Sequence, residues 1–118
     1  MAFTYKILAQ GQSTSAAVAT FNTILTVGSG KSMIINKIEL TNTSTNNVAA
    51  IIRIVPSGET SAAKHNYGIL GTGAGAAIGQ EVSRSYSGPI TLAAGDTIQL
   101  STGAANVVNY HIFGVEIS

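Results

Sequence analysis

The stretch MIINKIELT, residues 33–41, decides the fold class of this chain. Apolar and polar side chains alternate along it with a period of two, which is the spacing of a β-strand with one buried face. The face predicted to be buried carries Ile34, Ile38 and Leu40. The face predicted to meet solvent carries Lys37, Glu39 and Thr41. The isoleucines favour the same assignment, because β-branched side chains pack well on a pleated sheet.

The remaining strands follow from the same kind of pattern. The apolar run VAAIIRIV, residues 48–55, predicts a central strand that ends at the turn signal Pro56-Ser57-Gly58. Residues 97–101 alternate with Ile98 and Leu100 inward. Residues 107–117 predict a last strand in which either face could be the core. Weaker strands are predicted at residues 3–9, 21–27 and 82–90.

The chain is predicted to be one all-β domain spanning residues 1–118. Short strands with turns about every 8 to 12 residues are typical of a single antiparallel β-sandwich, with jelly-roll or related Greek-key topology. Only residues 13–20, which are rich in alanine, could form a helical turn, and their threonine and valine argue against it.

One glycine-rich stretch, GILGTGAGAAIG at residues 68–79, breaks the strand pattern. Glycine loses the most backbone entropy on folding, so this stretch is predicted to be a loop rather than the interior of a sheet. We interpret it as a mobile loop that becomes ordered against a neighbouring subunit, with Gly71, Gly73 and Gly75 as candidate contact residues. A plain flexible loop is the alternative.

Composition narrows the classes of partner. Charged residues make up 9% of the chain and the formal net charge is +1, which is too little to drive binding to nucleic acid or to an anionic membrane. A polar but weakly charged surface suits a protein that packs against copies of itself or other subunits, although an ordinary β-domain could also have it. The chain has no cysteine, no apolar run of membrane-spanning length and no apparent signal peptide. It is therefore expected to be made, and kept or assembled, inside a cell.

Two glycine motifs superficially suggest a nucleotide cofactor. The segment Gly28-Ser29-Gly30-Lys31-Ser32 resembles the end of a phosphate-binding loop, but Leu25 occupies the position of the first glycine and a strand follows instead of a helix. The segment at residues 71–76 lacks the helix and the acidic residue of a dinucleotide site. Both are predicted to be turns or loops, and no cofactor is expected.

Catalytic and metal-binding residues are sparse. His65 is predicted to lie in an exposed loop, and His111 is predicted to pack within the last strand. A metal site needs three or four converging ligands, and no such cluster is visible in the sequence. The acidic residues show no clustering along the chain: Glu39, Glu59, Glu81, Asp96 and Glu116. Without a Gly-x-Ser-x-Gly elbow or paired carboxylates, the chain is predicted not to be an enzyme. The alternative is a small hydrolase, which requires a histidine within hydrogen-bonding reach of a serine and an acid.

Aromatic and polar residues suggest two further roles. Tyr67, Tyr86 and Tyr110, with Arg84, could form a surface for protein contact or for stacking on a sugar, and ordinary tyrosines at the core edge are the alternative. Asp96, after Gly95, is predicted to accept hydrogen bonds from nearby backbone amides, as Asx turns do, and Asn42 and Asn46 are predicted to do the same in the loop at residues 41–47.

Two segments resemble small β-sandwich virion proteins of tailed bacteriophages. The first, ILTVGSGKSMIINKIELTNTS at residues 24–44, has their succession of strand, glycine turn, strand and Thr-Asn loop. The second begins at GPI, residues 88–90, continues through LAAGDTI, residues 92–98, and ends at HIFGVEI, residues 111–117. It is similar to the closing Gly-Asp turn and final strand of that group.

The resemblance implies a structural subunit of a virion. It implies a capsid decoration, or cement, protein that stabilises the shell through contacts between subunits. The alternatives are a neck, tail or fibre subunit, or a receptor- or carbohydrate-binding module. Proteins of this group are usually multimers, so the expected partners are the chain itself, as a homotrimer, and a major capsid or other virion protein. The expected location is the virion, after assembly in the cytoplasm of a bacterial host.

Overall fold

Eight strands run through the part of the chain that the computed structural model describes, residues 3–70, 78 and 83–118. In chain order they are β1 (Phe3–Gln12), β2 (Asn22–Thr26), β3 (Ser32–Asn42), β4 (Ala50–Val55), β5 (Asn66–Leu70), β6 (Ser83–Leu92), β7 (Thr97–Thr102) and β8 (Val108–Ile117). A short 3₁₀ turn, Ala63–His65, precedes β5. In these residues no helix is long and apolar enough to cross a membrane.

The strands form two four-stranded antiparallel sheets that pack against each other. The β1 sheet has the strand order β1-β8-β3-β6, and the β2 sheet has the order β2-β7-β4-β5. Within the β1 sheet, β1 pairs with β8 and β3 pairs with β6. Within the β2 sheet, β2 pairs with β7 and β4 pairs with β5. These four pairs are those of one long hairpin rolled into a sandwich, which is the jelly-roll topology. The predicted antiparallel β-sandwich is therefore confirmed.

Aliphatic side chains fill the core between the sheets. Ile98 and Leu100 of β7 are fully buried, as the alternation predicted. On β8 the buried face is that of Val108 and Ile112, which decides the question that the sequence left open. Most of the other fully buried aliphatic side chains come from β3, β4 and β6 or the segments beside them: Ile35, Ile38, Leu40, Ile52, Ile78 and Leu92.

A β-bulge in β3 overturns one predicted face. The register of β3 against both neighbouring strands shifts between Ile35 and Lys37. Because a bulge adds one residue to a strand, Ile35 and Ile38 both face the core although they are three positions apart. Ile34 lies on the outer face, opposite Val115 of β8. The prediction that Ile34 is buried was wrong, because the bulge after Ile35 changes which alternate residues of the strand face the core.

The stretch predicted to be a glycine-rich loop includes the end of a strand. Gly68 belongs to β5 and pairs with Ile52 of β4, so the prediction that the loop begins at Gly68 was wrong. Ile78 is fully buried and forms an isolated bridge with Val48. The candidate contact residues of this stretch lie outside the described residues: Gly71, Gly73 and Gly75.

The segment at residues 13–20 is a loop held by hydroxyl groups, not a helical turn. Ser15 is buried, and its hydroxyl, which has one hydrogen to donate, lies within hydrogen-bonding distance of the carbonyl oxygens of Ala17 at 2.8 Å and Thr20 at 2.7 Å. Thr102 at the end of β7 donates its Oγ1 to the Ser15 carbonyl at 2.8 Å. These bonds fix the connection between β1 and β2 against the core.

Candidate functional site

The structure brings together Tyr67 and Tyr86 of the predicted contact surface, whereas Tyr110 lies on β8, opposite Gly11 of β1, and packs against the core. Tyr67 lies on β5 at the edge of the β2 sheet, and Tyr86 lies on β6 at the edge of the β1 sheet. Their ring centroids are 5.8 Å apart and the rings are tilted by 59°, a favourable aromatic geometry. The Tyr67 hydroxyl also lies 3.5 Å from the Ser87 carbonyl oxygen. The pair therefore links the two sheets along one side of the sandwich.

The two tyrosines differ in what they offer to a partner. Tyr86 is half-buried and packs against the core, and burial raises the pKa of its hydroxyl, an effect that the charge of Arg84 opposes. Arg84 itself is exposed on the same strand. Tyr67 is 40% exposed. Tyr67 and Arg84 are therefore the members of this cluster that are accessible to a ligand, while Tyr86 mainly supports them.

The turn residues have the roles that the sequence predicted. Asp96 accepts from the Ala93 amide at 2.8 Å and from the Ser57 amide at 2.9 Å, which joins two turns. Asn42 is fully buried, and its Oδ1 accepts from the Ser44 amide at 2.9 Å. The predicted hydrogen bonds from backbone amides to Asp96 and Asn42 are confirmed. Asn42 bonds the amide two residues further on, as in an Asx turn, whereas Asp96 bonds amides of an earlier residue and of a distant turn.

His65 is buried, so its predicted position in an exposed loop was wrong. Its Nδ1 accepts a hydrogen bond from the Ala62 amide at 3.1 Å, and its Nε2 lies 2.9 Å from Glu59 Oε1. The hydrogen bonds from His65 and Lys64 hold the pKa of Glu59 below its ordinary value. The local reason is the 3₁₀ turn, which folds the ring back under its own loop. The hydrogen bonds of His65 therefore stabilise the loop at residues 59–65.

His111 lies on the outer face of the β1 sheet. It stands opposite Gln10 of β1 and Glu39 of β3, and its ring stacks on that of Phe113 with centroids 6.2 Å apart. Within the described residues, no three or more His, Cys, Asp or Glu side chains are grouped in a way that could hold a metal ion. His65 is buried beneath its own loop and His111 lies on the outer face of the β1 sheet, so the two histidines do not form a common site.

An apolar outer face on the β1 sheet is the feature that sequence reasoning missed. Phe3 and Tyr5 of β1 are each 69% exposed, and Ile7 is 46% exposed. They stand opposite outward-facing residues of β8: Ile117, Val115 and Phe113. Ile34 of β3 extends the same surface beyond Val115. We call this surface, formed by Phe3, Tyr5, Ile7, Ile34, Phe113, Val115 and Ile117, the apolar face.

Two sequence signals could have revealed the apolar face. Phe3, Tyr5 and Ile7 alternate with Thr4 and Lys6, which marks a strand with one apolar side. The last strand carries apolar residues on both sides, so one of its faces had to be apolar outside the core. Exposed large apolar side chains grouped on one surface mark interaction sites, whereas single ones carry no such meaning.

A shallow polar hollow adjoins the apolar face along β1 and β8. It has a volume of about 380 Å³ and is lined by Gln10, Gly11, Gln12, Asn109 and His111. Gln12 Nε2 donates to Asn109 Oδ1 at 3.2 Å. Lys37 lies between the hollow and the apolar face. Its ammonium group is 5.8 Å from the centre of the Phe113 ring and forms an ion pair with Glu39 at 3.1 Å. The β1 sheet thus presents an apolar end and a hydrogen-bonding end.

The strand β1 is also an edge of its sheet. It pairs with β8 on one side, and among the described residues no strand pairs with its other side. Edge strands present unpaired backbone N–H and C=O groups that can pair with another chain. The exposed apolar side chains and the free backbone edge therefore occur on the same strand.

No protein-family model matches the chain, and no curated protein matches its sequence.

Proposed function

We propose that this protein is a structural subunit that acts by contact with other protein subunits, and that it decorates the capsid of a tailed bacteriophage. The observation that carries the proposal is the apolar face, in which Phe3 and Tyr5 are each 69% exposed. Burial of apolar surface stabilises an association by roughly 25 cal/mol for each Å². The free energy of a weakly charged subunit with such a face therefore falls when a neighbouring subunit covers the face.

The mechanism of a decoration protein follows from mass action. A subunit that binds only the assembled shell stabilises the assembled state over the dispersed one. The partners in this proposal are further copies of the chain and a major capsid protein or another virion protein. The virion part of the proposal rests on the sequence resemblance, and the contact part rests on the apolar face.

The proposed role in subunit contact is tested by removing aromatic side chains from the apolar face. We expect the double variant Phe3→Ser, Tyr5→Ser to lose association, with itself or with shells, while its thermal unfolding midpoint changes little, because both side chains are exposed. The matched control is Tyr67→Ser, which removes an exposed tyrosine at another edge. Equal association of the double variant and the unmodified chain would contradict the proposal.

The virion part is tested on particles. Antibodies against the protein, applied to virions purified from the bacterium that carries the gene, are expected to label the capsid shell in electron micrographs. Label confined to the neck, tail or fibres would support the alternative position of the subunit. Intact and disrupted particles that both lack the protein would contradict a virion role.

A second candidate function is carbohydrate binding, and the polar hollow favours it. Side-chain amides such as those of Gln10, Gln12 and Asn109 can donate to and accept from sugar hydroxyls. The stacked rings of His111 and Phe113 lie beside them. Binding on a glycan array that is lost in Gln12→Ala and retained in Arg84→Ala would place a sugar in this hollow. Loss in Arg84→Ala alone would favour the Tyr67 and Arg84 surface.

A further inference from the structure

Strand β1 lacks the features that usually protect an edge strand. Between Phe3 and Ile7 it contains no proline and no bulge, since its register against β8 shifts only after Ile7. Its only charged residue is Lys6, which lies 3.4 Å from Glu116 of its own sheet. Natural edges are blunted by charges, prolines, bulges or covering loops, because bare edges pair with other strands. Within the part of the chain that the structure describes, residues 3–7 are therefore an unprotected edge with large apolar side chains.

We propose that two copies of this chain pair antiparallel through β1, with a two-fold axis at Tyr5, and join their β1 sheets into one eight-stranded sheet. The inference deepens the proposed function, on which it rests, by naming a second copy as the partner of the strand that carries Phe3, Tyr5 and Ile7. It puts a two-fold pair in place of the homotrimer that the sequence resemblance implies. A two-fold contact is self-complementary. If one residue of the first copy contacts a second residue of the other copy, the same pair is in contact with the two copies exchanged.

Strand geometry restricts the register of this pairing. Directly opposite residues must point to the same face of the sheet, so Phe3, Tyr5 and Ile7 can meet only one another. With the axis at Tyr5, the two Tyr5 side chains stand opposite each other and Phe3 stands opposite Ile7 of the second copy. Cross-strand pairs of aromatic and β-branched side chains stabilise a sheet. All three exposed apolar side chains of each copy acquire such a partner in this register.

Neighbouring registers are worse for physical reasons. With the axis at Lys6, the two Lys6 ammonium groups would stand directly opposite each other, and like charges in that position destabilise a sheet. With the axis at Thr4, Ile7 would lie opposite a residue that precedes β1. With the axis at Ile7 or beyond, the paired segment would contain the register shift after Ile7, which breaks the alternation of faces.

Charge complementarity supports the Tyr5 axis. In this register Lys6 stands opposite Thr4 of the second copy, and Thr4 is the residue that pairs with Glu116 on β8. Lys6 of one copy and Glu116 of the other therefore share a row, two strand spacings or about 10 Å apart at their Cα atoms. The long Lys6 side chain can extend past the small threonine, so its ammonium group can interact with the Glu116 carboxylates of both copies.

The size of the contact predicts a weak dimer in dilute solution. Phe3 and Tyr5 are each 69% exposed. Aromatic side chains bury about 150–250 Å² when fully covered, so complete burial of the four rings of a dimer would remove on the order of 500 Å². Edge-to-edge pairing covers only the flank of each ring that faces the second copy, so the area removed is smaller. Interfaces below about 1,200 Å² in total belong to weak or transient complexes. Copies held close together in an assembly would pair much more completely, because their effective concentration is high.

The first test measures association of the full chain. Sedimentation equilibrium at rising concentration is expected to show a monomer–dimer equilibrium. In Tyr5→Lys, which puts two like charges at the axis, the dissociation constant is expected to rise at least about tenfold. The control Thr23→Lys adds the same charge to an exposed residue of β2, the edge strand of the other sheet, and is expected to leave the constant unchanged. A dissociation constant that Tyr5→Lys leaves unchanged would overturn the inference.

The second test measures the register, using the absence of native cysteine. Tyr5→Cys alone is expected to be linked into a dimer by a thiol reagent that spans about 5 Å, the Cβ separation of opposite strand residues. Phe3→Cys and Ile7→Cys are expected to be linked when mixed but not separately. Lys64→Cys, exposed on the other sheet's side, is the control for random collision.

The outcomes separate this inference from the proposed function. A three-fold assembly, or a chain that stays monomeric at millimolar concentration, would overturn pairing through β1. Either result would leave capsid labelling as an independent test of the virion role. Linking of Tyr5→Cys no faster than that of Lys64→Cys would also overturn the Tyr5 axis.

Discussion

The ring of Tyr86 lies directly over the backbone of Gly68, so closely that a Cβ added to Gly68 would stand 2.6 Å from Tyr86 Cζ. This contact joins β5 of one sheet to β6 of the other. It explains why a glycine lies within a strand, where it would otherwise cost stability. It also connects the predicted contact surface to the core, because Tyr86 packs against core residues.

Gly68→Ala is expected to destabilise the protein by about 1–3 kcal/mol, because the new methyl group would force the Tyr86 ring out of its position. Urea denaturation followed by fluorescence measures the change. Gly103→Ala is the matched control, since its Cβ would meet Ala49 at an ordinary 3.7 Å. Similar free energies of unfolding for both variants would show that Tyr86 moves aside without cost.

Asn42→Ala is expected to cost about 1–3 kcal/mol or more, because the fully buried Asn42 amide serves several backbone groups. Its Nδ2 donates to the carbonyl oxygens of Asn46 at 2.6 Å and Ile78 at 3.1 Å. Thermal unfolding measures the loss. Asn109→Ala removes an amide at the surface hollow and is expected to change stability by less than about 0.5 kcal/mol. A tolerated Asn42→Ala would contradict the structural role.

Ser101→Ala is expected to leave the free energy of unfolding unchanged or to raise it. Ser101 is fully buried, and its Oγ has no hydrogen-bond partner among the described residues, so folding strips water from the hydroxyl without compensation. Ser13→Ala is the contrast, because the buried Ser13 Oγ lies 2.8 Å from Thr102 Oγ1. That variant is expected to cost about 1–3 kcal/mol. The reverse order of the two variants would refute the assignment.

Acidification is expected to destabilise the protein below about pH 4.5, the ordinary pKa of a glutamate. Hydrogen bonds from His65 and Lys64 lower the pKa of Glu59. Burial opposes ionisation of Glu116, but Lys6 and Lys31 outweigh it and lower the pKa of Glu116 as well. A carboxyl whose pKa is lowered by folding stabilises the fold above its unfolded pKa, and the contribution disappears as pH falls through its folded pKa.

Chemical denaturation at several pH values measures this effect. The double variant Glu59→Gln, Glu116→Gln is expected to lose less stability between pH 5 and 3 than the unmodified chain, because its side chains there do not titrate. An unchanged pH dependence in the double variant would show that other groups dominate acid unfolding.

Much of the local structure was predictable because its causes are local. The burial of Ile98 and Leu100 followed from alternation over five residues, and the Asp96 turn followed from the chemistry of Gly95 and Asp96 themselves. The tyrosine pair was suggested only as a possibility, since nothing in the sequence states that β5 and β6 lie at adjacent edges. The buried position of His65 was missed because it depends on how the loop folds back onto Glu59.

The sequence by itself determined that this protein is a sandwich of short antiparallel strands, because period-two patterning and turn residues act within a few residues of chain. Only the tertiary structure decided the jelly-roll order, the outward position of Ile34 and the exposure of Phe3, Tyr5 and Ile7. Those features depend on which strands pair, in which register and across which bulges. Pairing is set by contacts between residues far apart in the chain, and a pattern read along one strand carries no record of its neighbour.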